Sequence, residues 1–185
     1  MPEDTPRGYT YPEYTDTQNF PAAIQELATD IDADVQDLYD DVDHARYAPT
    51  AAVSFAGPTP LANGVTTDWA FTSEDYDNAG MVNLGVDPTD VSITEDGVYW
   101  ITGWAEFAAA GVTTGSVGVF IMTTGALLNL VTVTRAPDND KRTEVSATCI
   151  AFCATGEDIT LALRQTTGAP LNIQFAKLTV TKVSP

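Results

Sequence analysis

The chain has 185 residues and a formal net charge of −18, from 26 acidic and 8 basic side chains. This charge disfavours nucleic-acid binding, which needs Lys and Arg clustered against phosphates, and it disfavours adhesion to anionic membrane surfaces. No stretch is apolar over the roughly 20 residues that a membrane-spanning helix needs. The length leaves room for one domain and an appendage.

The first segment, residues 1–19, is rich in proline and tyrosine. Proline disfavours regular helix, and several aromatic rings on an extended segment are suited to filling grooves on a partner protein. The segment is therefore predicted to be an extended attachment arm. Its predicted contact residues are Tyr9, Tyr11, Pro12 and Tyr14. A disordered leader with incidental aromatic residues is the alternative.

The second segment, residues 20–47, carries a heptad pattern in two interleaved series of apolar residues. The series are Ile24, Ile31 and Leu38, and Ala28, Val35 and Val42. This spacing is typical of the d and a positions of a coiled coil. Because so narrow a seam is buried only against another copy, the pattern predicts a short coiled-coil stalk in a homo-oligomer. A homotrimer is preferred, since isoleucine in the core disfavours a simple dimer.

The stalk is strongly acidic, with seven aspartates between residues 30 and 43. Aspartate is a poor helix-interior residue, and like charges beside the seam repel each other. The helix is therefore expected to need the attached head to bring its copies together. The acidic face is interpreted as solvated, and a basic partner or a bound cation is the alternative.

The remaining segment, residues 50–185, is rich in β-branched and small residues. Strands are predicted at 100–107, 116–122, 128–134, 143–154, 159–165 and 171–182, separated by turn signals. Short strands at this spacing predict a mainly β fold with a sandwich or jelly-roll head.

Two of these strands, 98–107 and 145–154, are apolar on both faces. A strand of a monomeric sandwich usually shows one polar face, so one face is expected in the core and the other against another subunit. A strand covered by loops of its own chain is the alternative.

No group of residues indicates catalysis, a metal or a cofactor. Cys149 and Cys153 are too far apart along one strand to form a disulfide and are predicted to be free thiols, consistent with a reducing cytoplasm. His44, the single histidine, falls in the stalk, where a catalytic relay has no pocket. The chain is therefore predicted not to be an enzyme and to bind no cofactor or metal.

The three tryptophans are the candidate sugar-stacking residues. Trp100 and Trp104 lie in a doubly apolar strand and are predicted to be in the core. Trp69 follows the polar run Thr66–Asp68 and is predicted to be exposed, which makes it the possible ligand contact.

Several motifs of the head resemble the trimeric tumour-necrosis-factor-like jelly rolls, the family that includes complement globular heads. Residues 94–101 (TEDGVYWI) are similar to its Gly-x-Tyr strand, and residues 76–78 (YDN) to the segment before it. Residues 155–161 (TGEDITL) resemble its Gly-Asp-x-Val-x-Leu motif with one inserted glutamate, and residues 176–181 (AKLTVT) its last strand. The resemblance covers nearly the whole head and implies a homotrimeric jelly roll.

The N-terminal leader resembles that of tailed-phage virion proteins from actinobacterial hosts, which are generally called minor tail or fibre proteins. The resemblance lies in residues 8–16 (GYTYPEYTD) and 20–28 (FPAAIQELA). It implies a structural virion component, assembled in the host cytoplasm, whose arm attaches to other virion proteins and whose jelly-roll head is displayed. The alternatives are a host-surface receptor- or glycan-binding protein, and a capsid decoration or head-fibre protein.

Overall fold

The computed structural model describes residues 20–46, 48–124 and 128–184, and the chain divides into two compact units between positions 47 and 48. In the first unit, helix α1 spans Phe20–Arg46. Within the described ranges, no helix has enough apolar length to cross a membrane. Outside them lie the predicted contact residues of the arm, Tyr9, Tyr11, Pro12 and Tyr14.

The second unit, the head, contains ten strands within its described part. They are β1 (Thr50–Leu61), β2 (Thr66–Asp68), β3 (Ser73–Asp77), β4 (Asp90–Ser92), β5 (Gly97–Phe107), β6 (Val117–Thr123), β7 (Leu128–Arg135), β8 (Thr143–Cys153), β9 (Asp158–Gln165) and β10 (Leu171–Ser184). The predicted mainly β fold is confirmed.

The strands form two antiparallel sheets with the core between them. The first sheet has the order β3-β1-β10-β5-β8, and the second has the order β2-β9-β6-β7, with β4 also paired to β9. Strands distant in sequence are therefore neighbours: the first strand of the head pairs with the last along most of its length. This arrangement brings β1, β10, β5 and β8 side by side on one broad surface.

The core follows from alternation along the strands. In β5, every second residue from Gly97 to Phe107 is buried, including Tyr99 and Ile101. Gly103 continues this buried series, and a Cβ at that position would lie 2.4 Å from Cδ1 of Leu161 on the opposite sheet. A glycine therefore lets the two sheets approach closely at this point.

Burial also affects the Tyr99 hydroxyl. It donates a hydrogen bond to the Glu95 carbonyl oxygen at 2.8 Å. Desolvation is the main reason that the pKa of Tyr99 is raised to about 12. The ring is therefore neutral and fixed at neutral pH, and it serves the packing of the core.

Gly115, in the loop before β6, is the glycine whose replacement is expected to cost most. It has a φ of +88°, and an added Cβ would lie 2.1 Å from the Thr166 carbonyl oxygen. Because strain in the left-handed region adds to a backbone clash, Gly115→Ala should lower the free energy of unfolding by about 3 kcal/mol. Urea unfolding followed by tryptophan fluorescence measures the loss.

Gly111→Ala, in the same loop, is the matched control for this substitution. Gly111 has a φ of +67°, but nothing lies within 4 Å of an added Cβ. Strain alone should then cost about 1 kcal/mol. Equal losses in the two variants would contradict the role of the clash.

Candidate subunit interface

The outer side of the first sheet carries large apolar side chains. On β5 and β8 the even-numbered residues point away from the core, and there Trp100 is 53% exposed, Ile150 66% and Phe152 65%. The strand register sets Trp100 directly opposite Ile150, and Phe152 opposite Val98. Directly opposed side chains of an antiparallel pair are in contact range, so these four residues form one surface.

The last strand also has an exposed apolar residue. β10 pairs with β5 and carries Val183, which is 51% exposed, close to its end. We name the four residues Val98, Trp100, Ile150 and Phe152 the apolar patch. Single exposed apolar residues are ordinary, whereas a contiguous set marks a surface that binds another molecule. Complete burial of such a side chain contributes about 1.5–3 kcal/mol, so half-exposed residues leave a large gain available on association.

Further aromatic rings lie on the same outer face. Trp104 and Phe175 are half-buried and pack together with ring centroids 5.0 Å apart and planes tilted by 49°. On the edge strand β3, Tyr76 is 53% exposed and lies opposite Ala52 of β1. Aromatic rings are enriched in the centres of protein interfaces because each buries much area at low entropic cost.

One pair of charged side chains on this face is bonded within the chain. Asp75 accepts hydrogen bonds from Lys177 Nζ at 2.9 Å and from Ser54 Oγ at 2.7 Å. The bond from Lys177 is the main reason that the pKa of Asp75 lies below its ordinary value. The pair therefore stabilises the folded head at a pH above that ordinary pKa, and this stabilisation is lost as the pH falls through the lowered pKa. Both side chains are partly exposed, so the contribution is small.

Helix α1 presents a second apolar surface. All six residues of the heptad seam are exposed to solvent within the single chain: Ile24 (51%), Ala28, Ile31 (45%), Val35 (45%), Leu38 (63%) and Val42 (53%). A stripe of this kind is stable in water only when another surface covers it. The coiled coil formed by these residues stays a prediction.

The expectation that Trp69 is exposed is wrong. Trp69 is only 5% exposed, and its ring packs edge-on against Phe55 with centroids 5.2 Å apart. Its backbone N–H donates to the Leu161 carbonyl oxygen at 2.8 Å. The ring therefore has no face free for a sugar.

The expectation that Trp100 and Trp104 are core residues is also wrong. Odd-numbered residues of β5 occupy the core side, so both tryptophans point outward. The prediction of two apolar faces for this strand holds, but the tryptophans lie on the face opposite to the one expected.

The remaining question is whether the cysteines or the acidic residues of the head could react or bind a metal. Cys149 and Cys153 are both free. Burial raises the pKa of each thiol, that of Cys153 to about 11, and a protonated thiol is a poor nucleophile. Asp158 accepts a hydrogen bond from Ser92 Oγ at 2.7 Å. Within the described ranges, no three His, Cys, Asp or Glu residues are grouped so that they could hold a metal ion.

No protein-family model matches the chain, and no curated protein is significantly similar to it. Solved structures do match the head. The globular domain of the zebrafish complement 1qA protein is 12% identical with a TM-score of 0.58, covering 73% of this chain and 97% of that one. Murine APRIL is 13% identical with a TM-score of 0.56, covering 74% and 99%.

Eiger TNF from S. frugiperda is a further match, 16% identical with a TM-score of 0.50, and the alignment covers 74% of this chain and 94% of that one. At these identities the likeness establishes the fold alone. The predicted jelly roll is confirmed: the head has the fold of the tumour-necrosis-factor-like and complement globular domains.

Proposed function

We propose that the chain is a homotrimeric structural protein whose copies associate through the outer face of the first sheet and through the stalk. The apolar patch carries this proposal, because Trp100, Ile150 and Phe152 are each more than half exposed on adjacent strands. The stalk seam supports it independently, since its apolar residues also lack cover within one chain. The head shares its fold with the tumour-necrosis-factor-like and complement globular domains, which are trimeric, and this likeness favours three copies.

The trimer is proposed to be a component of a tailed-phage virion, a minor tail or fibre protein without enzymatic activity. The resemblance of residues 8–16 and 20–28 to phage virion leaders supports this assignment. In this proposal the arm binds other virion proteins and the head is displayed. Assembly takes place in the host cytoplasm, where free thiols such as Cys149 and Cys153 persist.

Glycan or receptor binding by the head is the less favoured candidate. Burial of Trp69 removes the residue that the sequence offered for sugar stacking. The exposed Trp100 lies beside Ile150 and Phe152 in an apolar setting, which suits a protein surface better than the polar hydroxyls of a sugar. Binding of the purified chain to host cell-wall fragments would favour this candidate over a purely structural role.

The homotrimer has a direct test. Sedimentation equilibrium of the purified full chain at micromolar concentration is expected to give about three times the chain mass of 19.7 kDa. A monomer at that concentration would contradict the proposal. Electron micrographs of particles labelled through this protein would then distinguish attachment to the tail from decoration of the capsid.

A further inference from the structure

Asn78 joins the beginning of the head to the loop after β3. Its Oδ1 accepts a hydrogen bond from the Thr50 N–H at 2.8 Å, and its Nδ2 donates to the Ala48 carbonyl oxygen at 3.1 Å. Its own N–H donates to the Thr50 carbonyl oxygen at 3.2 Å. One residue therefore holds both ends of the segment 48–50, which we name the junction.

Other polar groups of the junction are bonded as well. The Lys182 N–H donates to the Pro49 carbonyl oxygen at 2.8 Å, and Thr50 Oγ1 donates to the Ala48 carbonyl oxygen at 3.1 Å. Pro49 is buried, and its ring restricts the backbone further. A segment held at this density of bonds is not a flexible linker.

Asn78 is itself held in place by the residue before it. Asp77 Oδ1 accepts hydrogen bonds from the N–H groups of Ala79 at 3.0 Å and Met81 at 3.1 Å. Asp77 Oδ2 accepts another from the Val82 N–H at 2.9 Å. These bonds order the loop and so fix the backbone of Asn78. Asn78 is thus a rigid support for the start of the head.

The position of the junction matters because the stalk helix precedes it directly in the sequence. Helix α1 ends at Arg46, so a single position separates the helix from the junction. The repelling aspartates and the narrow seam make association of isolated helices weak. Joined heads raise the local concentration of the helices, and a short connection preserves more of that concentration than a long one.

We infer that Asn78 is a positioning residue that couples formation of the stalk coiled coil to assembly of the heads. It acts by fixing the point at which each chain enters its head. The inference rests on the proposed homotrimer and extends it, because it names the residue through which one association surface assists the other. Changes at the junction should therefore lower the thermal stability of the stalk coiled coil while the heads remain trimeric.

The first experiment compares Asn78→Ala with Asn63→Ala in the full chain. Asn63 is the matched control, because its Oδ1 also accepts a backbone hydrogen bond, from the Gly168 N–H at 2.8 Å, between two other loops of the head. Asn78→Ala should speed hydrogen exchange of the Thr50 amide about tenfold and lower the temperature at which the helical circular dichroism signal is lost. Asn63→Ala should change neither quantity.

A second variant leaves every bond of the head intact and decides the question if Asn78→Ala unfolds the head. It inserts about twelve Gly and Ser residues before Ala48, which lowers the effective concentration of the helices. We expect the helical transition to fall while sedimentation still gives a trimer. A trimer whose helical transition is unchanged overturns the inference and leaves the proposed function intact. A monomeric wild-type chain overturns both.

Discussion

Ile150→Asp is expected to dissociate the trimer while each head stays folded. Ile150 lies on the outer side of β8 and is 66% exposed, so the substitution removes no core contact. In an assembled trimer the position loses its water, and a buried carboxylate without a partner costs about 3–5 kcal/mol. At about 1.4 kcal/mol for each factor of ten, the interface should weaken by at least about 100-fold. Because all copies of a homotrimer carry the substitution, this cost applies once for each subunit.

Val86→Asp is the matched control for Ile150→Asp. Val86 is an apolar residue that is 82% exposed, in the segment between β3 and β4 and outside the apolar patch. Sedimentation equilibrium of both variants, with near-ultraviolet circular dichroism as a check of the fold, separates loss of association from loss of structure. An Ile150→Asp chain that is still trimeric, with a dissociation constant equal to that of Val86→Asp, would contradict the interface.

The apolar outer face of the first sheet could be foreseen in part because strand periodicity carries information about both faces of a strand. Apolar residues at consecutive positions of β5 and β8 indicated that neither face meets water in the assembled protein. Periodicity does not say which face is the core. That choice depends on the partner sheet, where Leu161 leaves room for Gly103 and not for a tryptophan. The prediction that Trp100 and Trp104 lie in the core is wrong for this reason.

Other parts of the surface depend on contacts that no local pattern contains. Phe175 meets Trp104 because the register of β10 against β5 shifts between Ile173 and Phe175, and such a bulge moves side chains to the other face. Trp69 follows a polar strand, yet it is buried by Phe55 from the other sheet. Flanking residues describe the neighbours in sequence, whereas burial depends on neighbours in space.

The extent of the first strand of the head is also not visible in its local sequence. β1 continues to Leu61 through Gly57, Pro58 and Pro60, which are residue types typical of turns. The pairing with β10 shifts between Ala56 and Thr59, and β3 pairs only with the part of β1 before this point. Proline is tolerated there because that part of β1 has one partner strand instead of two.

Deletion of residues 1–19 is expected to abolish incorporation into particles while the remaining chain stays folded and trimeric. The head forms its own compact unit beginning at Ala48, and both proposed association surfaces lie outside the arm. Anchoring aromatic residues of an interface each contribute at least about 2 kcal/mol, so loss of Tyr9, Tyr11 and Tyr14 together should remove most of the binding energy.

Substituting the three tyrosines by alanine in the full chain is therefore expected to reproduce the deletion. Tyr76→Ala, a substitution of an exposed tyrosine of the head, is the control for tyrosine loss elsewhere. Immunoblots of particles purified after complementation with each variant give the fraction incorporated. Normal incorporation of the shortened chain would mean that the head or the stalk makes the attachment, and would overturn the division between an arm that binds the virion and a head that is displayed.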